Sequence, residues 1–201
     1  MTDLVIRPEQ PVDYSPMENL IRDAFWDVYR PGASEHLLIH KLRQDPSYLP
    51  GFSFIAELDG QPAGGIWYAM CAIEKLDSSR IPIPTLGPVG VAPALQKRGI
   101  GSALIRHTLP LVKAAGHSGV VLFGDPAYYG RFGFAPGRDA GIAACDGEFY
   151  DVLQHARFND SADLAGRFQE SEPYQIDPAE VEQFEIWFTP REKHVLPTQL
   201  H

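Results

Sequence analysis

The order of elements along the chain predicts a mixed α/β (α+β) fold built on one mixed sheet. Three observations carry this. Two helical patterns precede a strand pair joined at Asp59-Gly60. A strand then runs through a glycine turn, Gly99-Ile100-Gly101, directly into a long helix. Another buried strand and several short strand-like pieces follow that helix. A doubly wound sheet would instead alternate strand and helix throughout. The 201 residues suit one domain. No composition shift, repeat or low-complexity tract marks a boundary. The working division is a domain over 1–160 with 161–201 as a C-terminal extension packed on or beside it.

Residues 4–7 read as a first strand. Ser15-Pro16-Met17-Glu18 reads as a helix start, because a Ser hydroxyl can accept a free first-turn amide, Pro suits that turn and Glu18 can reach back. Met17, Leu20, Ile21, Ala24, Phe25, Val28 and Tyr29 then fall on one helical face, and Arg30-Pro31-Gly32 ends the run. Ser34 is the expected cap of a second helix through Arg43. Residues 52–58 and 64–73 read as strands around the Asp59-Gly60 turn. Residues 77–84 are polar and contain prolines, which predicts a loop. The next strand spans 85–91, where Pro88 predicts an edge or a bulge. A helix over 99–115 closes at Gly116, and Pro110 inside it predicts a kink or a split. Residues 119–123 form a short buried strand. Asp125-Pro126 caps a helical turn through Gly130, and residues 133–158 hold further strand-like pieces. Asp177-Pro178-Ala179-Glu180 starts a last helix with Val181, Phe184 and Phe188 on its apolar face.

Composition narrows the function classes. Hydrophobic residues make up 44% and charged residues 21%, ordinary for a chain that buries a core. No apolar run is long enough to cross a bilayer, and the first residues lack a secretory pattern. Two cysteines, Cys71 and Cys145, are too few for a disulfide framework; with no targeting pattern, the expectation is a cytoplasmic protein. A net charge of −9 argues against a nucleic-acid partner and suits cationic substrates such as amines. His36 and His40 share a helical face but have no third ligand at a metal-site spacing, so no metal is expected.

The informative segment is Val89-Gly90-Val91-Ala92-Pro93-Ala94-Leu95-Gln96-Lys97-Arg98-Gly99-Ile100-Gly101-Ser102. Glycines in a strand-to-helix turn let a ligand approach the backbone closely. The first amides of a helix have no internal partner and the helix dipole adds partial positive charge, so phosphate is the natural ligand. The Gly-Lys-Ser/Thr ending of a P-loop is missing. So are the third glycine and the later acidic residue of a dinucleotide fingerprint.

Gln96-Lys97-Arg98-Gly99-Ile100-Gly101 resembles the Gln/Arg-x-x-Gly-x-Gly/Ala signature of the GNAT acyltransferases. Tyr129-Gly130-Arg131-Phe132-Gly133-Phe134 resembles the Tyr-x-x-x-Gly-Phe ending of that family's next conserved block. Together with Leu86-Gly87-Pro88 and Gly124-Asp125-Pro126-Ala127, these residues are similar to the YhbS-like subgroup of predicted N-acetyltransferases. The stretch Gly124-Asp125-Pro126-Ala127 departs from the Asn and longer helix of common relatives. The resemblance implies the GNAT fold, a central, mostly antiparallel sheet with a splayed strand pair, flanked by helices, and acetyl-coenzyme A as cosubstrate. It also implies that Val89, Gly90 and Val91 pair with pantetheine, and that Gln96, Lys97, Arg98, Gly99, Ile100, Gly101 and Ser102 hold the pyrophosphate. Tyr129 becomes the candidate general acid that protonates the departing thiolate, and Tyr128 a packing residue.

The implied reaction is direct attack of an amine, small-molecule or protein-borne, on the thioester. Glu35, Glu57 and Glu74 are the weighed candidates for the base, and none stands out. Phe25, Trp26, Tyr29, Trp67 and Tyr68 are the aromatic candidates for an acceptor pocket. Two other readings keep the scaffold without turnover: an acyl-coenzyme A sensor, and an interaction protein that docks or homodimerises through residues 160–201.

Overall fold

The computed structural model describes residues 3–199. Nine strands form one sheet: β1 (Leu4–Pro8), β2 (Phe54–Leu58), β3 (Gln61–Glu74), β4 (Arg80–Val91), β5 (Gly119–Phe123), β6 (Ala135–Pro136), β7 (Ile142–Ala143), β8 (Leu153–Arg157) and β9 (Gly166–Gln169). Their order is β1-β2-β3-β4-β5-β8-β6, with β9 pairing the far end of β3 and also β7. Neighbours are antiparallel except β4–β5 and β7–β9. The helices are α1 (Tyr14–Phe25), α2 (Glu35–Leu42), α3 (Ile100–Ala114), α4 (Pro126–Tyr129) and α5 (Pro178–Glu185).

The sheet alternates its side chains between two apolar layers. Tyr68, Leu86, Val120 and Leu122 meet Leu104, Ile105 and Val112 of α3 on one face. Ile55, Trp67 and Ala69 meet Met17 and Ile21 of α1 and Leu38, Ile39 and Leu42 of α2 on the other. Gly90 lets α1 lie against β4. A Cβ there would stand 2.5 Å from Ile21 Cδ1 and 3.1 Å from Phe25 Cε2, closer than packed carbon atoms sit.

β4 leaves β5 almost at once. The two pair at a single position, Thr85 with Val121. Opposite Gly87-Pro88, the β3–β4 register shifts between Ile66 and Tyr68, the bulge that Pro88 predicts. The result is a split between two parallel strands, open towards Val89–Val91.

Several local expectations are corrected. Ser15 lies inside α1; the helix follows a turn at Pro11–Asp13, and Asp13 accepts the Gln10 N–H at 2.8 Å. α1 ends at Phe25 because Asp27 takes a left-handed conformation (φ 59°). Val28 and Tyr29 therefore belong to the α1–α2 loop. Ser34 precedes α2 but makes no side-chain cap; its own N–H donates to the Glu35 carboxylate at 2.9 Å. Residues 80–84 belong to β4 rather than to a loop. Pro82 and Pro84 face Ala72 and Met70 of β3, and β5 is not paired with β4 there, so no ladder on that edge needs their missing N–H. α3 runs through Pro110 without splitting.

Of residues 161–199, β9 is a strand of the same sheet, Leu164 packs into its core, Ser171 and Tyr174 meet β3 and β4, and the segment from α5 onward binds the α1–α2 region. Glu185 Oε2 lies 2.7 Å from Arg22 Nη2. Trp26 Nε1 donates to the Glu192 carbonyl at 3.0 Å. His194 Nδ1 lies 2.8 Å from Asp27 Oδ2, and Gln199 Nε2 donates to the Asp27 carbonyl at 3.0 Å.

Candidate active site

A cavity of about 660 Å³ opens where β4 meets α3. Its floor is Val89, Gly90 and Val91; one wall is Phe25, Val28 and Tyr29 from α1 and the loop after it. The other end is the turn Gln96, Lys97, Gly99, Ile100, Gly101 and Ser102, facing Tyr128 and Arg131. The structure thus gathers the residues singled out in the motif round one space, apart from Arg98, which is exposed beside it.

The local sequence explains the shape. Gly99 takes φ +86° at the cap of α3, a conformation only glycine adopts freely. The Ala103 N–H closes the first helical bond to the Gly99 carbonyl at 2.9 Å. The preceding amides of Ile100, Gly101 and Ser102 have no intrahelical acceptor, and no side chain caps the helix. A Cβ on Gly101 would sit 3.1 Å from the Tyr128 hydroxyl, so the bare backbone keeps the cradle open. The charged lining residues are Lys97 and Arg131, and among the described residues no carboxylate lines the cavity, although the molecule carries a net charge of −9. A diphosphate fits this donor set.

Tyr129 does not line the cavity. Its half-buried ring packs over Gly124 at the end of β5, where a Cβ would meet Tyr129 Cε2 at 2.3 Å, and stacks edge-on with Phe134 at 5.7 Å. Burial pushes its phenol well above the ordinary range, and Tyr128, Tyr29 and Asp125 push it further. It stays protonated at neutral pH. Of the two adjacent tyrosines, Tyr128 is the one on the cavity wall, not only a packing residue. Arg131 lies 4.1 Å from the Tyr128 ring centroid and donates Nε to the Tyr128 carbonyl at 3.0 Å.

None of the three weighed carboxylates lines the cavity, although Glu35 is close enough to Tyr29 on its wall to push that phenol up. Glu57 is paired with Arg7 at 2.6 Å, and Glu74 lies 3.9 Å from Arg80. Glu35 is half-buried at the start of α2, and burial pushes its carboxyl up. Of the aromatic candidates, Phe25 and Tyr29 line the cavity. Trp67 and Tyr68 are fully buried core, and Trp26 is covered by the C-terminal segment. His36 sits beside Glu185 and His40 beside Glu18. Sequence reasoning missed Arg131 as a lining cation. Its signal was a conspicuous basic residue inside the Tyr-x-x-x-Gly-Phe run.

The GNAT acetyltransferase domain family matches residues 5–137. The uncharacterized N-acetyltransferase YjhQ of Escherichia coli K12 is 32% identical over 100 residues, covering 49% of this chain and 54% of that relative. The uncharacterized N-acetyltransferase YhbS of the same strain is 28% identical over 131 residues, covering 65% of this chain and 73% of YhbS. A GNAT family acetyltransferase from Brucella melitensis, solved with acetyl-coenzyme A, superposes with a TM-score of 0.70 at 29% identity, over 86% of this chain and 99% of that one. The YhbS crystal structure with coenzyme A shares the fold at a TM-score of 0.77, 23% identity, covering 88% and 94%. The match spans two thirds of the chain and includes the split, the glycine cradle and the Tyr129 block, so this protein belongs to the GNAT acetyltransferases, which move an acyl group from coenzyme A to an amine.

Proposed function

We propose that this chain transfers acetyl from acetyl-coenzyme A to a primary amine by direct attack, with the coenzyme lying along β4 and its pyrophosphate in the α3 cradle. The observation that carries the reading is the free amides of Ile100, Gly101 and Ser102 behind left-handed Gly99, beside Lys97 and Arg131, at the end of a strand that has left its parallel neighbour. Pantetheine can then pair with the β4 edge at Val89–Val91 that β5 leaves open.

The amine nitrogen forms a C–N bond with the thioester carbonyl carbon. A backbone N–H of Val89–Val91 holds the oxyanion, the term that usually contributes most. The C–S bond breaks, and the thiolate takes the phenolic proton of Tyr129, whose ring packs edge-on behind Tyr128 of the cavity wall at 5.0 Å and reaches the sulfur when the coenzyme is bound. Burial keeps Tyr129 protonated but makes it a weaker acid than a free phenol, so its proton moves to sulfur as the protonated nitrogen of the tetrahedral intermediate gives up its own proton to replace it. Small-molecule amines and protein amino groups both fit this chemistry. The free thiols Cys71 and Cys145 suit the reducing cytoplasm.

Calorimetric titration with acetyl-coenzyme A, coenzyme A and ATP tests the reading. Saturable one-site binding of both coenzyme A species, with ATP much weaker, is expected. No binding at millimolar acetyl-coenzyme A would sink it.

A further inference from the structure

After β9 the chain crosses the sheet on the face that α1 and α2 cover. Ser171 donates its backbone N–H to Cys71 Sγ of β3 at 3.3 Å. Tyr174 donates its hydroxyl to the Gly87 carbonyl of β4 at 2.8 Å. Gly87 lies just beyond Thr85, where β4 last pairs with β5, so Tyr174 ties down the strand at the point where the split opens. Glu170 stands next to the first of these tethers and four residues before the second.

Its surroundings are apolar. Phe168 is buried, with its ring centroid 6.0 Å from that of Phe123, which ends β5 and is 43% exposed. Among the described residues no hydrogen bond or ion pair meets the half-buried Glu170 carboxylate, and burial is what acts on it. The titratable groups that face it are the Cys71 thiol from β3 and the Tyr174 phenol, both pushed up by burial and both uncharged at neutral pH. A carboxylate drawn out of water is costly unless a cation meets it, and no side chain here supplies one.

We propose that the acceptor supplies it: Glu170 receives a primary ammonium with an apolar stem, entering on the Phe123 and Tyr174 face of the split, and takes the proton that frees its lone pair. This rests on the acetyl-transfer reading. The floor of the coenzyme cavity begins at Val89, two residues beyond the Gly87 carbonyl that Tyr174 holds, so the ammonium meets the thioester where the split opens. The ammonium proton goes to the Glu170 carboxylate, the lone pair to the thioester carbon, and Glu170 later releases its proton to solvent. Burial holds its carboxyl at about 7, poised to take a proton near neutral pH and close to the optimum for general-base work. The apolar rings favour an arylalkyl amine over a polyamine.

The test compares wild type, Glu170→Gln and Glu170→Asp. Coenzyme A release is followed from pH 5.5 to 9 with 2-phenylethylamine and with spermine, and acetyl-coenzyme A affinity is measured by calorimetry. Glu170→Gln is expected to lower kcat for 2-phenylethylamine about 100-fold. It should leave acetyl-coenzyme A affinity within about twofold and abolish the rise in rate through pH 7, with Glu170→Asp restoring part of it. A Glu170→Gln variant with wild-type kcat and the same pH limb overturns the inference while leaving acetyl transfer intact. Spermine turned over faster than 2-phenylethylamine overturns the acceptor class. A wild type that releases coenzyme A with neither amine overturns the transfer reading, and the role of Glu170 with it.

Discussion

At the residue scale, the site depends on one glycine and on the division of labour between two adjacent tyrosines. Gly101 keeps the amide cradle bare, and a side chain there would point at the Tyr128 hydroxyl. Gly101→Glu puts bulk and negative charge among the free amides. It should weaken acetyl-coenzyme A by about 100-fold or more in calorimetry, equivalent to about 2.8 kcal/mol. Gly101→Ala should do far less, because the atom it meets ends a rotatable side chain. The tyrosines should separate in kinetics. Tyr129→Phe is expected to lower kcat roughly 10²-fold with coenzyme affinity spared. Tyr128→Ala is expected to raise the Kd for acetyl-coenzyme A, because Tyr128 lines the cavity and braces Arg131. Equal effects of the two changes on Kd would remove the distinction. The Tyr129 block was legible in the sequence because its glycine spacing is itself a motif. Which of two neighbouring rings faces the cavity was not, since that depends on the orientation of a one-turn helix against β5.

At the element scale, α1, α2, β1 and β3 meet on one buried carboxylate. Glu9 pairs with Arg43 at 2.7 Å, both nearly inaccessible, and accepts from Trp67 Nε1 at 3.0 Å and from the Tyr48 hydroxyl at 3.1 Å. Arg43 also reaches Glu18 at 2.7 Å and lies 4.2 Å from the Tyr14 ring centroid. Glu9→Ala leaves Arg43 with Glu18 as its remaining carboxylate and strips the Trp67 N–H and the Tyr48 hydroxyl of their acceptor, so it should cost about 2–4 kcal/mol in urea unfolding. A loss under about 1 kcal/mol would mean that water replaces the carboxylate. None of this network shows in the sequence, where Glu9 and Arg43 stand 34 positions apart with no pattern joining them. The strands were legible where apolar residues alternate or turn residues punctuate them. Residues 80–84 were not: Pro82 and Pro84 argue against a strand locally, and only the unpaired edge of β4 removes the objection. α1 was read one turn too long for a similar reason. Val28 and Tyr29 continue the apolar period, yet Asp27 turns the chain and its carboxylate accepts the Gly32 N–H at 2.7 Å.

At the scale of the whole molecule, residues beyond the matched 5–137 span reach back to the site. The C-terminal segment grips Arg22, Trp26 and Asp27, directly beside Phe25, Val28 and Tyr29 on the cavity wall. Glu185→Ala would strand the buried Arg22 guanidinium. It should raise hydrogen exchange across residues 26–34 and weaken acetyl-coenzyme A several-fold, although Glu185 lies outside the cavity; unchanged exchange would show that the loop stands by itself. The same segment helps to set the pH range over which the fold is stable. His36 is fully inaccessible beside Glu185, and burial pulls its pKa down to about 4 from 6.5. The unfolded chain therefore binds the proton first: the contribution is full above 6.5 and is lost as pH falls from 6.5 towards 4, by up to about 3 kcal/mol. Glu170 acts in the other direction. Its carboxyl is raised from 4.5 to about 7, so the folded chain binds the proton first, and stability present below 4.5 is lost as pH rises through 7. Its partial exposure makes that loss the smaller of the two. Thermal unfolding from pH 4 to 9 should therefore peak between about 5.5 and 6.5. Glu170→Gln should hold the melting temperature up on the alkaline side only, and His36→Phe on the acid side only. A Glu170→Gln variant that melts in parallel with wild type at every pH would show that this carboxylate is already neutralised in the folded protein, and would leave the acceptor ammonium no unmet charge to answer.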